Sequence, residues 1–158
     1  MAGIAIFGMN PFGWRVGGTL FGVAMVPIFY LLAKRLLKNR KLAEFITILF
    51  TFDFMHFAQT RIATIDVYGV FFILLMYYFM LQYWQMNFYV DGVKATLRPL
   101  ALSGLFFGLG AASKWICIYA GGGLAVIFFL SLGMRFGEYI GARSAAARGQ
   151  VGAAALVE

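Results

Sequence analysis

The sequence predicts an all-α fold, a polytopic transmembrane helical bundle of about five spans. Three observations carry that prediction. Hydrophobic residues make up 63% of the 158 residues and charged residues only 12%, far short of the polar surface that a water-soluble domain needs. Apolar runs near the ~20 residues required to cross a bilayer recur along the chain. Segments with period-2 alternation are missing, which argues against an outer-membrane barrel.

The elements follow in order. Residues 1–12 form a short apolar lead that ends in Asn10-Pro11. The lead has no basic region and its apolar run is interrupted there, so no cleavable signal peptide is expected. A first span is expected over about 14–33, with Pro27 as its kink. Lys34, Arg35, Lys38, Arg40 and Lys41 then make a dense basic loop. The second span is expected at about 42–60 and the third at about 66–84, followed by a polar connector, 85–98. The apolar run 99–132 is too long for one crossing at about 1.5 Å per residue. It divides near Ser113-Lys114-Trp115 into spans at 99–113 and 116–132. Residues 1–132 are thus read as the transmembrane domain. Residues 133–158, rich in Gly, Ala and Arg, are read as a disordered cytoplasmic tail. Gly18-x-x-x-Gly22, Gly104-x-x-x-Gly108 and Gly121-Gly122-Gly123 are read as sites of close helix packing.

A formal net charge of +7 would suit nucleic acid, but its distribution points to a membrane instead. With 34–41 in the cytoplasm, ten of the basic residues fall on the inner side. Arg15, Arg61 and Lys114 fall on the outer side, a clear positive-inside bias. The lone cysteine, Cys117, makes no internal disulfide and says little about redox compartment.

The three exceptions to the charge rule are the first candidate site residues. Arg15, Arg61 and Lys114 each lie at a helix boundary near one membrane face, where converging cations suit an anionic group such as a lipid-linked phosphate. Singly, each could snorkel to the interface. Asp66 opens the third span, where a carboxylate suits a helix N-terminus and can pair with Arg61. Asp53 and His56, with Thr60, are expected on one helical face inside the second span, as an intramembrane polar stripe turned away from lipid. A hydrogen bond between Asp53 and His56 that positions the helix is the structural alternative. With one His and one Cys in the chain, no metal site is expected, and no cofactor either. P-loop, dinucleotide, nucleophile-elbow and Cys-x-x-Cys motifs are missing, so any chemistry must take place at the membrane face.

Four segments, in order, carry a resemblance. NPFGWR (10–15), GTLFGVAMVPIFYLLAKRL (18–36), FDFMHFAQTRIATIDVYGVFF (52–72) and GLFFGLGAASKWICIY (104–119) resemble consecutive parts of the protein O-mannosyltransferase family. The resemblance covers about residues 3–132. It implies a GT-C-fold membrane enzyme of glycosyltransferase family 39. Such an enzyme moves mannose from a polyprenyl- or dolichyl-phosphate donor to Ser or Thr hydroxyls of acceptor proteins, at the outer or lumenal face. By the resemblance, Arg61 and Asp66 match an Arg…Asp element near the donor site, and Arg15 and Lys114 match outward-facing basic positions. Relatives carry an Asp-Glu pair, thought to include the catalytic base, in an outer loop before NPFGWR, followed by a His-Pro-Pro…Lys segment. Neither feature is found in these residues, so no catalytic residue is assigned and the chain reads as an internal or truncated portion. A split enzyme completed by its missing parts is one such arrangement. A catalytically incomplete membrane fragment and a transporter subunit using Asp53 and His56 are the rival readings. Short connections between spans favour a bacterial plasma membrane over the endoplasmic reticulum.

Overall fold

The computed structural model describes residues 6–62, 64–86 and 92–147, with side chains described at all of these except 93, 142 and 145–147. Six helices organise them: α1 (Pro11–Leu37), α2 (Arg40–Thr51), α3 (Phe54–Arg61), α4 (Asp66–Gln85), α5 (Val93–Ser113) and α6 (Ile116–Ala147). Local chemistry sets several of their limits. Asn10 caps α1, its side-chain oxygen accepting from the Gly13 N–H at 2.9 Å, and Pro11 opens the first turn with its φ already helical. At the other end Lys38 takes the left-handed conformation (φ 50°) and its N–H closes onto the Lys34 carbonyl. The Asn39 side chain then accepts from the N–H groups of Lys41 and Leu42 to start α2.

Four helices are long and apolar enough to cross a membrane, namely α1, α4, α5 (from Lys94) and α6 (through Gly141). The chain is therefore an integral membrane protein with a helical bundle. The second expected span, 42–60, differs from its expectation. It is two helices of 12 and 8 residues, broken at Phe52-Asp53, and neither half alone reaches the ~20 residues of a full crossing. The pair nevertheless returns the chain. Phe50, near the end of α2, stacks on Phe29 in the second half of α1 at 4.3 Å between ring centroids. Thr60, near the end of α3, sits against Gly22 and accepts from the Thr19 hydroxyl at 3.5 Å. Phe50 and Thr60 thus meet α1 in reverse order, so the pair runs antiparallel to α1.

The remaining helices pack around α4. Tyr68 and Phe71 meet Phe21 of α1, and Arg35 lies over the Tyr78 ring, so α1 and α4 run parallel. On α5, the Ser103 hydroxyl donates to the Met76 carbonyl and Gly110 faces Phe72, which makes α5 antiparallel to α4. The Tyr77 hydroxyl donates to the Ala120 carbonyl, and Phe128 stacks near Tyr83, so α6 is parallel to α4 again. Met25, Met76, Met80, Tyr83 and Cys117 are the buried centre. Side chains at the membrane level find polar partners within the chain, as when Thr47 bonds to the Ala43 carbonyl.

Small residues are used unevenly. A β-carbon on Gly22 would overlap the Thr60 methyl, and one on Gly121 would overlap the Phe107 ring. Gly104 and Gly108 have open space, so the expected close packing of that pair has no partner among the described residues. The tail expectation also changes, because α6 continues through Ala147. Residues 148–158, the rest of that tail, lie outside the described residues, as do 87–91 of the polar connector.

Candidate functional site at the Arg61 end of the bundle

The antiparallel order places the helix ends in two groups. Lys34, Arg35, Lys38, Arg40, Lys41, Lys94, Arg98, Arg135 and Arg143 gather toward one end, called here the basic end. Arg15, Arg61, Asp66 and Lys114 lie at the other. The four residues expected to form a site therefore do share one face of the bundle, each supplied by a helix terminus.

Their pairings differ from the expectation. Asp66, in the first turn of α4, forms an ion pair with Lys114, the C-cap of α5. Arg61 is not its partner. The reason is the bundle geometry. Lys114 Cβ lies 3.7 Å from the position a β-carbon would take on Gly69, so the α5–α6 junction packs in van der Waals contact with the first turn of α4. The ammonium then meets a carboxylate that also suits the positive N-terminal end of α4. Arg61 ends α3 instead, with its guanidinium 4.3 Å from the Phe57 ring centroid and exposed. No ion pair or hydrogen bond of its side chain is seen among the described residues. Arg15, one turn into α1, is exposed as well.

Asp53 and His56 are placed differently from a stripe on one continuous helix. Asp53 is the N-cap of α3, exposed, with Oδ2 accepting from the His56 backbone N–H at 2.9 Å. The polar contact between these two residues is thus a capping bond to the main chain, which positions the helix, and the imidazole packs on the Phe50 ring at 4.4 Å. Asp53, His56 and Thr60 still line one pocket, of about 200 Å³, with Gln59 and Asp66. Met25, Val67 and Val70 make it predominantly apolar. Sequence reasoning missed Gln59 and Thr64. The Thr64 hydroxyl donates to Gln59 Oε1 at 3.1 Å and ties the α3–α4 connection together on either side of Arg61. Their spacing within QTRIATID was the available signal. Among the described residues no group of three or more His, Cys, Asp or Glu side chains could hold a metal ion.

Chemically, the Arg61 end offers two exposed guanidiniums, Arg61 and Arg15, with no ion pair among the described residues, and the carboxylate–ammonium pair of Asp66 and Lys114. Asp66 is engaged by the Lys114 ammonium. An exposed arginine with five donors suits a phosphate oxygen.

Two curated proteins from Mycobacterium tuberculosis, one from strain CDC 1551 / Oshkosh and one from strain ATCC 25618 / H37Rv, are each called polyprenol-phosphate-mannose–protein mannosyltransferase. Each is 26% identical over 149 residues, covering 85% of this chain. The chain spans 28% of the length of these relatives. No solved structure matches it. The family model for dolichyl-phosphate-mannose-protein mannosyltransferases matches residues 2–147, nearly all of the sequence, and the chain belongs to that family.

Proposed function

We propose that the chain forms the donor-binding corner of a membrane mannosyltransferase, which moves mannose from a polyprenyl-phosphate carrier to Ser or Thr hydroxyls of proteins. The observation that carries this reading is Arg61. A guanidinium with no ionic partner among the described residues stands at a membrane-face helix end, beside the Asp66–Lys114 pair. In the transfer, the acceptor hydroxyl oxygen bonds to the anomeric carbon as the bond from that carbon to the phosphate oxygen breaks. The lipid phosphate departs with the electron pair, and the hydroxyl proton goes to a base. Arg61, with Arg15 nearby on α1, stabilises the charge that develops on the departing phosphate. Lys114 faces the same end and holds Asp66 in place.

Asp66 is occupied by Lys114 and Asp53 by a helix N-terminus, so neither serves as the base in this reading. The base is supplied by residues beyond this chain, in the same polypeptide or in a second one. The positive-inside rule puts the Arg61 end on the outer side of the membrane, and the mycobacterial relatives favour a bacterial plasma membrane. The test is binding of a polyprenyl-phosphate mannose to the chain in nanodiscs. Arg61→Gln should weaken binding roughly tenfold or more, as expected for one lost charge-assisted contact. Equal binding by wild type and Arg61→Gln would overturn the assignment. No binding by either would favour the reading as a catalytically incomplete fragment.

A further inference from the structure

The turn between α1 and α2 concentrates positive charge. Lys34, Arg35, Lys38, Arg40 and Lys41 fall within eight residues, and Glu44 is the one acid between Tyr30 and Phe50. Two of the five cations are engaged. Arg40 pairs with Glu44 at 2.8 Å, and the Arg35 guanidinium lies 4.6 Å from the Tyr78 ring centroid. Lys34, Lys38 and Lys41 are exposed, and none of their ammonium groups makes an ion pair or hydrogen bond among the described residues. Lys34 has the Tyr30 ring centroid 6.0 Å away, the outer limit of a cation–π contact. The three also stand close together. The Lys38 N–H bonds to the Lys34 carbonyl at 3.1 Å, which sets these two one helical turn apart. Lys41 follows three residues after Lys38, a chain reach of at most about 10 Å.

We propose that this turn holds one anionic phospholipid of the adjoining leaflet, with its phosphate among Lys34, Lys38 and Lys41 and an acyl chain along α2. The turn lies at the end of the bundle opposite Arg61, so the proposal is independent of the donor reading. Charge is the first argument. Three ammonium groups, with the nearby glutamate already taken by Arg40, match the oxygens of a phosphodiester. A zwitterionic headgroup brings its own cation back to the same cluster, so a net-anionic lipid is favoured. Depth is the second argument. Leu42, Phe45 and Leu49, at i, i+3 and i+7, are exposed along one side of α2, while Ala43 and Thr47 are buried on another. That apolar strip starts next to Lys41 and follows α2 for about 10 Å, within the ~15 Å depth of one leaflet. A soluble anion or an acidic peptide would meet the lysines but not the strip. A lipid meets both.

The test is native mass spectrometry of the full chain in a neutral detergent, titrated with phosphatidylglycerol or with phosphatidylcholine of the same acyl chains. The first phosphatidylglycerol should bind roughly tenfold tighter than the first phosphatidylcholine, the size expected of two or three exposed charge contacts. Lys34→Gln/Lys38→Gln/Lys41→Gln should bring that ratio close to one, and Lys41→Gln alone should lower it about twofold. All three positions are exposed, and unchanged melting checks that the fold stands. Lys94→Gln/Arg98→Gln removes two exposed cations of α5 at the same end of the bundle, and should leave the ratio as it is. Equal binding of the two lipids by the wild type would leave the turn to bulk lipid or to an acidic protein segment and overturn the proposal. A preference that survives the triple substitution would overturn it too. So would one that falls as far with the α5 pair, since the charge of that end would then act without a site.

Discussion

Asp66 and Arg61 illustrate how a neighbour decides what a charged residue is free to do. The pair of Asp66 with Lys114 leaves the two side chains 42% and 36% exposed, so its net worth is about 0–1 kcal/mol. Lys114→Gln is therefore expected to lower stability by no more than about that amount, measured as thermal melting in detergent. The double swap Asp66→Lys/Lys114→Asp restores the pair but sets each charge against its helix end, so it should recover at most part of the loss in melting, and it should not restore donor binding, because the positive charge then sits on the wrong helix. Full recovery of both would reduce Lys114 to a structural role. Arg61→Gln removes only a ring contact, and its effect on melting should stay within ~0.5 kcal/mol while donor binding falls. The sequence made these residues visible because they break the basic-residue bias. Its spacing placed Asp66 nearest Arg61 along the chain, whereas the partner came from forty-eight residues away. The antiparallel packing of α5 on α4 brings Lys114 to Asp66.

Among the elements, the return segment is where sequence and structure part. Length and hydropathy over 42–60 read as one helix, and its cap went unrecognised. Asp followed by a helical run is an N-cap signal in its own right, but periodicity across Phe52-Asp53 outweighed it. The structural role of that carboxylate gives a sharp comparison. Asp53→Asn keeps a capping oxygen and should be nearly neutral, whereas Asp53→Ala should cost about 1 kcal/mol in melting. If Asn proved as damaging as Ala to function, with stability intact, a proton relay would be favoured. Glycines on α1 and α5 form a second contrast. Gly22→Val forces α3 away from α1 and should destabilise by more than ~2 kcal/mol. Gly104→Ala meets open space and should be neutral to stabilising by up to ~1 kcal/mol in the same melting assay. The two Gly-x-x-x-Gly motifs look identical in sequence. Which of them has a partner is a property of the assembled bundle.

For the whole molecule, the fold class was legible because bilayer thickness fixes helix length and the charge bias fixes alternation. Of the five expected spans, four are helices long and apolar enough to cross, and the second is a broken pair that runs back along α1. Cysteine labelling checks it directly. Lys41→Cys and Ile62→Cys should react with an impermeant thiol reagent from opposite sides of a sealed vesicle, against a silent background from Cys117, which is fully buried. Reaction from one side would mean that α2 and α3 do not cross. The extent of α6 was not legible, since its Gly-rich end has no apolar periodicity and yet continues the helix through Ala147. The break at Phe52-Asp53 also bears on how the protein enters a membrane during synthesis. An insertion machine that weighs each emerging segment by its apolarity gains little from helices of 12 and 8 residues, particularly with an aspartate near their junction, a residue disfavoured by ~2.5–3.5 kcal/mol at a span centre. The return pair is then best integrated together with α1, as one hairpin whose second arm is carried in by the first. Weakening the contact of Thr60 with Gly22 should therefore leave newly made chains with an inverted downstream topology before it unfolds any mature ones.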